Sequence, residues 1–217
     1  AFAFSVTMLA LSPDRVPTTF DQMVELLKGI PAFLFSLAIL LLFWNDHVKY
    51  SRRYGLDDGR TTLLSAILIA VMLIYVYPLK FMATTFFAYY IPPLRTESFT
   101  RSIGSPRDLA TMFMVMSGGF AVLQVVFVLL HRHALRRGAE SALSDHERLI
   151  TRCELGSAWI HLGIGGASVA LALLFRDGMW VISAGFVYML LGLIVPLYWS
   201  LRGPSEKACE RARLGAE

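Results

Sequence analysis

Residues Leu109 to Leu130 read LATMFMVMSGGFAVLQVVFVLL, a run without one ionisable side chain. An α-helix needs about 20 such residues to cross about 30 Å of hydrocarbon. Inside lipid each backbone N–H and C=O must be satisfied within the segment, so a run of this kind is a helix. Outward from it the pattern repeats. Upstream lie Ala1 to Leu11, about Gly29 to Trp44, and Thr61 to Tyr77, the last kinked at Pro78 and continuing to Ile91 before Pro92-Pro93 ends it. Downstream lie Leu155 to Phe175 and Met179 to Leu201. Between the first two runs, Phe20, Met23, Val24 and Leu27 fall at helical spacing behind Thr18-Thr19, which predicts a short amphipathic helix at the interface. The expected fold is an all-α membrane protein. It is a bundle of six transmembrane helices, with a short interfacial helix after the first. One transmembrane domain spans 1–202, and a cytoplasmic tail occupies 203–217.

Composition agrees. Hydrophobic residues make up 56% of the 217-residue chain and charged residues 17%, with a mean hydropathy of +0.57. A soluble domain of this size carries about a quarter charged residues, and one compact core could not hide so much apolar surface. The net charge is +4. Its basic residues sit between apolar runs, where they set membrane orientation, so no nucleic-acid partner is expected. Cys153 and Cys209 are too far apart in type and place for a metal site or a disulfide framework, and read as unpaired thiols. The chain opens on Ala1 without Met, and its first run reads as a helix that has lost its opening turns.

Lys and Arg divide unequally between the two ends of the runs. One side collects Lys49, Arg52, Arg53 and Arg60, then Arg132, Arg136, Arg137, Arg148 and Arg152, then Arg202, Lys207, Arg211 and Arg213. The other side holds Arg15, Lys28, Arg95, Arg101, Arg107 and Arg176. The positive-inside rule therefore predicts both termini in the cytoplasm of a multi-pass protein of the cell membrane.

Enzyme signatures are absent: no Gly-x-Ser-x-Gly, no His-Glu-x-x-His, no phosphate loop. Gly118-Gly119 and Gly163 to Gly166 lie inside apolar helices, where small residues let backbones approach. His131 and His133 bracket Arg132 and point to different helix faces, which does not favour a shared metal. His161 stands in an apolar run, where an ionisable group marks either a functional site or a neutral ring bonded to backbone. A proton-coupled transporter working near His161 is the alternative it raises. A non-conducting membrane protein or a membrane enzyme around Asn45, Asp46, His47 and the His131–His133 pair is a further one. No catalytic residue, metal or cofactor is expected.

No Thr-Val-Gly-Tyr-Gly filter occurs. The other route to an ion path is a ring of helices with polar layers and an apolar constriction. Phe4, Thr7 and Leu11 stand at i, i+3 and i+7 on one face of the first run. Repeated about a symmetry axis they make an apolar ring, a hydroxyl ring and a second apolar ring.

Four features together carry a family resemblance. The run AFAFSVTMLAL from Ala1 to Leu11 resembles the first helix of the transmembrane protein 175 family, the endolysosomal potassium channel and its bacterial relatives. Trp44-Asn45-Asp46-His47 resembles that family's Trp-x-x-His. The loop from Tyr50 to Asp58, and the order of six helices with a long basic loop after the fourth, are similar as well. The resemblance implies a single-repeat bacterial member that assembles as a homotetramer in membrane lipid. It implies passive conduction of K⁺, with no cofactor, through a central pore lined by the first helix. Phe4 and Thr7 map to its constriction and Leu11 lies on the same face, while Trp44, His47 and Ser65 map to the structural network behind the pore helix. The sequence departs from the family pattern in three places. The family's Arg-x-x-x-Phe-Ser-Asp is not among these residues, Phe4 stands where Ile or Leu is usual, and Ser65 stands near the place of an Asn.

Overall fold

The computed structural model describes residues 17–56, 58–95, 105–137 and 145–203, and every regular element among them is helical. α1 (Phe20–Lys28) starts where Thr19 accepts from the Gln22 N–H at 3.3 Å. Asp21 in its first turn and Lys28 in its last suit the helix dipole. A single residue, Gly29, joins it to α2 (Ile30–Tyr54), which takes Pro31 in its first turn. α3 (Gly59–Tyr90) is capped by Asp58, whose carboxylate accepts from the Thr61 N–H at 3.1 Å. A short 3₁₀ turn (Pro92–Leu94) closes it. α4 (Pro106–Arg137) and α5 (Asp145–Leu174) follow. The last run is broken into a 3₁₀ turn (Met179–Ile182), α6 (Ser183–Phe186) and α7 (Met189–Arg202).

Five helical stretches are long and apolar enough to cross a membrane: Phe20–Tyr54, Gly59–Tyr90, Pro106–Arg137, Glu147–Leu174 and Met179–Arg202. The protein is a multi-pass membrane protein. The run Ala1 to Leu11, expected as a sixth span, lies outside the described residues.

The structure differs from the sequence reading at several boundaries. α2 does not end at Trp44 but runs ten residues further, and Gly55 at φ +53° stops it. Asn45 to Tyr54 is polar enough to resemble a loop, yet Asp46 pairs with Lys49 one turn on, and Tyr50 is buried with its hydroxyl donating to the Leu130 carbonyl at 3.2 Å. Arg52, Arg53, Arg132, Arg136, Arg137, Arg148 and Arg152, read as loop charges, all ride on helices that project past their apolar runs. As expected, α3 continues through Pro78 to Tyr90, and α7 likewise runs through Pro196.

The main core joins α2, α3 and α4. Leu40, Leu68, Leu123 and Leu130 are fully enclosed there, with Phe43, Met72, Tyr75 and Phe127 around them. A smaller core at the other end holds Met112, Phe113, Ala172, Val181 and Ala184. Gly119 packs as expected of a small residue, because a Cβ there would meet the Tyr75 ring. Gly165 also faces a neighbour, Phe120, at 3.5 Å, whereas Gly118, Gly163 and Gly166 face open space. Outward-facing Ile74, Leu174 and Leu193 are about 70% exposed, as side chains bathed by lipid would be.

A chain of hydroxyls fixes the broken run. Tyr188 donates to Ser117 at 2.9 Å, Ser117 donates to Ser168 at 2.8 Å, and Ser168 donates to the Ala184 carbonyl at 2.8 Å. Ser117 and Ser168 are fully buried. Each member therefore has a partner in a region where an unpaired polar group is costly. The chain ties α4 and α5 to the Ala184 carbonyl of α6 and to the Tyr188 hydroxyl at the break before α7.

Candidate functional site

Phe4, Thr7 and Leu11 lie outside the described residues. The residues assigned to the network behind them are described. Trp44 and His47 sit one turn apart on α2 and their rings approach to 6.1 Å. His47 Nδ1 is enclosed, with no hydrogen-bond partner among the described residues. Ser65 is half-buried on α3, and among the described residues it bonds to neither of them. The structure thus brings two of these three together.

A network the sequence reading did not assemble lies at the basic end of the bundle. Arg53 on α2 places Nη1 2.6 Å from Glu154 Oε1 on α5. His131 on α4 places Nε2 3.0 Å from Glu154 Oε2, and its Nδ1 is 2.8 Å from the Phe127 carbonyl. The Arg53 contact is an ion pair without aligned hydrogen-bond geometry, since Nη1 has no acceptor along its N–H direction. Both partners of His131 accept, so the ring can satisfy both only with a proton on each nitrogen. Tyr54 and Thr151 share a short hydroxyl contact beside it, and Tyr50 packs edge-on to His131 at 5.4 Å. Three helices are thereby locked through one carboxylate. Glu154 and Arg53 are 101 positions apart, so no local spacing betrays the pair. The one available signal was a Glu placed where an apolar run begins, on the same end as His131.

These groups border a cleft of about 760 Å³ between α2, α4, α5 and α7. Its lower wall is apolar, with Ile39, Phe120 and Val195, and His161 faces into it. His161 Nδ1 lies 2.7 Å from the Ser157 carbonyl one turn back, and the ring stands 5.9 Å from Phe120. This is the ring bonded to backbone of its own helix. His133, two residues beyond His131, turns away as expected and places Nε2 2.7 Å from Asp58 Oδ2. Among the described residues no group of three His, Cys, Asp or Glu could hold a metal ion. Asp58 lies between spans, and the Thr61 side chain beside it, the Thr61 N–H and His133 hold its carboxyl down at about 2. At the opposite end Arg107 pairs with Asp177 at 2.5 Å and lowers that carboxyl, but both are exposed. Cys153 is a buried free thiol that donates to the Arg202 carbonyl at 3.1 Å.

No family model matches the chain. A protein of Marivirga tractuosa named "Potassium channel" is 27% identical over 194 residues, covering 87% of this chain and 78% of that one. A solved structure of a variant of the potassium channel MtTMEM175, in complex with a nanobody–MBP fusion protein, superposes with a TM-score of 0.81. It is 24% identical and the match covers 92% of this chain and 88% of that chain. The chain shares the fold of that channel structure. The resemblance read from the first run, the Trp-x-x-His turn and the helix order is thus borne out by whole-chain comparisons. In this bundle Trp44 and His47 carry that turn, and the Arg53–Glu154–His131 lock stands about two helical turns beyond it on the basic side.

Proposed function

We propose that the protein is a subunit of a potassium-preferring cation channel that conducts passively through a central pore. The observation that carries this reading is the whole-chain agreement with two proteins named as potassium channels, one by sequence and one by fold. Both are named as channels, not enzymes, and the reading assigns this chain no catalytic step.

In this reading the chain is a homotetramer embedded in lipid, and the first helix of each subunit lines the axis. Phe4 forms a hydrophobic constriction, Thr7 offers hydroxyls to partly dehydrated ions, and Leu11 forms a second apolar layer. α1 lies at the interface and both termini are cytoplasmic, because the basic ends of the described helices gather on one side of the bundle. The locked scaffold of α2, α4 and α5 gives the pore helix a rigid wall, with His47 and Trp44 on it. K⁺ is the permeant ion and no cofactor takes part.

Potassium flux from liposomes holding the purified protein tests this reading, with wild type compared against Phe4→Ala. Flux through wild type, with a changed rate or K⁺/Na⁺ preference in Phe4→Ala, is expected. A folded, oligomeric protein that passes no cation in either form overturns it.

A further inference from the structure

At the basic end, where α3 begins and α4 ends, a second pocket of about 600 Å³ is lined by Asp58, Gly59, Arg60, His133, Arg136 and Arg137. We propose that this pocket binds the phosphate headgroup of an anionic membrane lipid.

The charge balance comes first. Three guanidinium groups and an imidazole surround one carboxylate. That carboxylate is already engaged: Oδ1 accepts from the Thr61 N–H, and Oδ2 contacts His133 at 2.7 Å and Arg137 at 3.9 Å. Arg60 and Arg136 are exposed and make no ion pair or hydrogen bond among the described residues. Among the described residues, two unneutralised forks therefore line one opening. Planar guanidinium groups match phosphate oxygens bidentately, better than a point charge does. The start of the 32-residue helix α3 adds its positive dipole end to the same opening.

Two observations select a lipid over a free anion. Arg60, Leu63 and Ile67 follow one face of α3, and Leu63 and Ile67 are 61% and 40% exposed. On α4, Val125, Leu129, Arg132 and Arg136 likewise share one face, with Val125 and Leu129 42% and 44% exposed. Each unpaired arginine thus stands at the end of an outward apolar stripe on a membrane-spanning helix. A headgroup in the pocket leaves its acyl chains lying along those stripes. Basic pockets between transmembrane helices are a recurrent way to hold anionic headgroups. A zwitterionic choline lipid brings its own cation to the arginines and so gains less from them.

The test is thermal unfolding of the purified protein in detergent, titrated separately with dioctanoyl phosphatidylglycerol, dioctanoyl phosphatidylcholine and sodium phosphate. Phosphatidylglycerol is expected to raise the unfolding temperature at a concentration at least about tenfold lower than either of the others. Arg60→Gln/Arg136→Gln should abolish that advantage. Arg136→Gln alone, a change at an exposed position, should weaken it several-fold and serves if the double variant does not fold. Arg152→Gln, exposed and outside the pocket, should titrate as wild type. Phosphatidylcholine acting equally well overturns the proposal, as does an Arg136→Gln variant that titrates as wild type. If sodium phosphate matches phosphatidylglycerol, the pocket takes a free anion and the lipid assignment falls. An equal loss in Arg152→Gln shows diffuse surface attraction and overturns the pocket.

Discussion

Glu154→Gln should loosen the bundle more than any other single change that preserves side-chain shape. Glu154 and Arg53 are about a fifth exposed and His131 is 8% exposed, so the site is mostly out of water. Glu154 serves two partners, the Arg53 guanidinium at 2.6 Å and the His131 ring at 3.0 Å. Gln keeps one acceptor oxygen but no charge, so one ion pair disappears and one charge-assisted bond becomes neutral. Breaking a fully buried pair costs about 3–5 kcal/mol, because it strands an uncompensated charge. The partial exposure here lets water recover some of that, which places the expected loss at about 2–3 kcal/mol. Arg53 bears most of it, since its Nη1 has no aligned acceptor to fall back on. Reversible unfolding in mixed micelles of rising denaturing-detergent fraction measures the loss. Arg53→Gln and the double variant complete a cycle that isolates the pair. A coupling energy above about 1 kcal/mol is expected for a pair so little exposed. A Glu154→Gln protein that unfolds within about 0.5 kcal/mol of wild type, the range of an ordinary surface change, refutes the idea that this carboxylate locks three helices.

Other consequences can be checked in the same assay. Asp58→Ala removes the cap of α3 and the partner of His133, and should destabilise. Because the Asp58 carboxyl is held at about 2, below its ordinary 3.8, its contribution is whole above about pH 4 and is lost as pH falls through 2. The gap between wild type and Asp58→Ala should therefore be constant near neutrality and close only in strong acid. Gly119→Ala drives a Cβ into the Tyr75 ring and should cost about 1–3 kcal/mol. Gly118→Ala meets open space and should be neutral or slightly stabilising. Ser168→Ala removes the acceptor of the Ser117 hydroxyl and the donor to the Ala184 carbonyl, for a loss of about 1 kcal/mol. Tyr188→Phe removes only a donor to Ser117, whose own donation to Ser168 survives, so it should cost less than Ser168→Ala.

What the sequence made legible follows from where the physics is local. A span is a property of about 20 consecutive residues, so Leu109 to Leu130 announced α4 with no knowledge of its neighbours. The ends of spans are not local in that sense. Asn45 to Tyr54 looked like a loop because its residues are polar, and it is helix because Tyr50, Arg53 and Tyr54 find partners on α4 and α5. The glycines divide the same way. Gly118 and Gly119 are adjacent and chemically identical, yet only Gly119 faces a ring, and which one does depends on the rotation of α4 against α3. The pair at Trp44 and His47 was visible as a one-turn spacing within a single helix. The Arg53–Glu154–His131 lock was not, since it draws one residue from each of three helices and exists only after they pack. Polar residues at the ends of membrane helices are therefore poor loop markers in this bundle. They carry the contacts that set how far each helix extends, and the basic end gains its shape from them before any pore is considered.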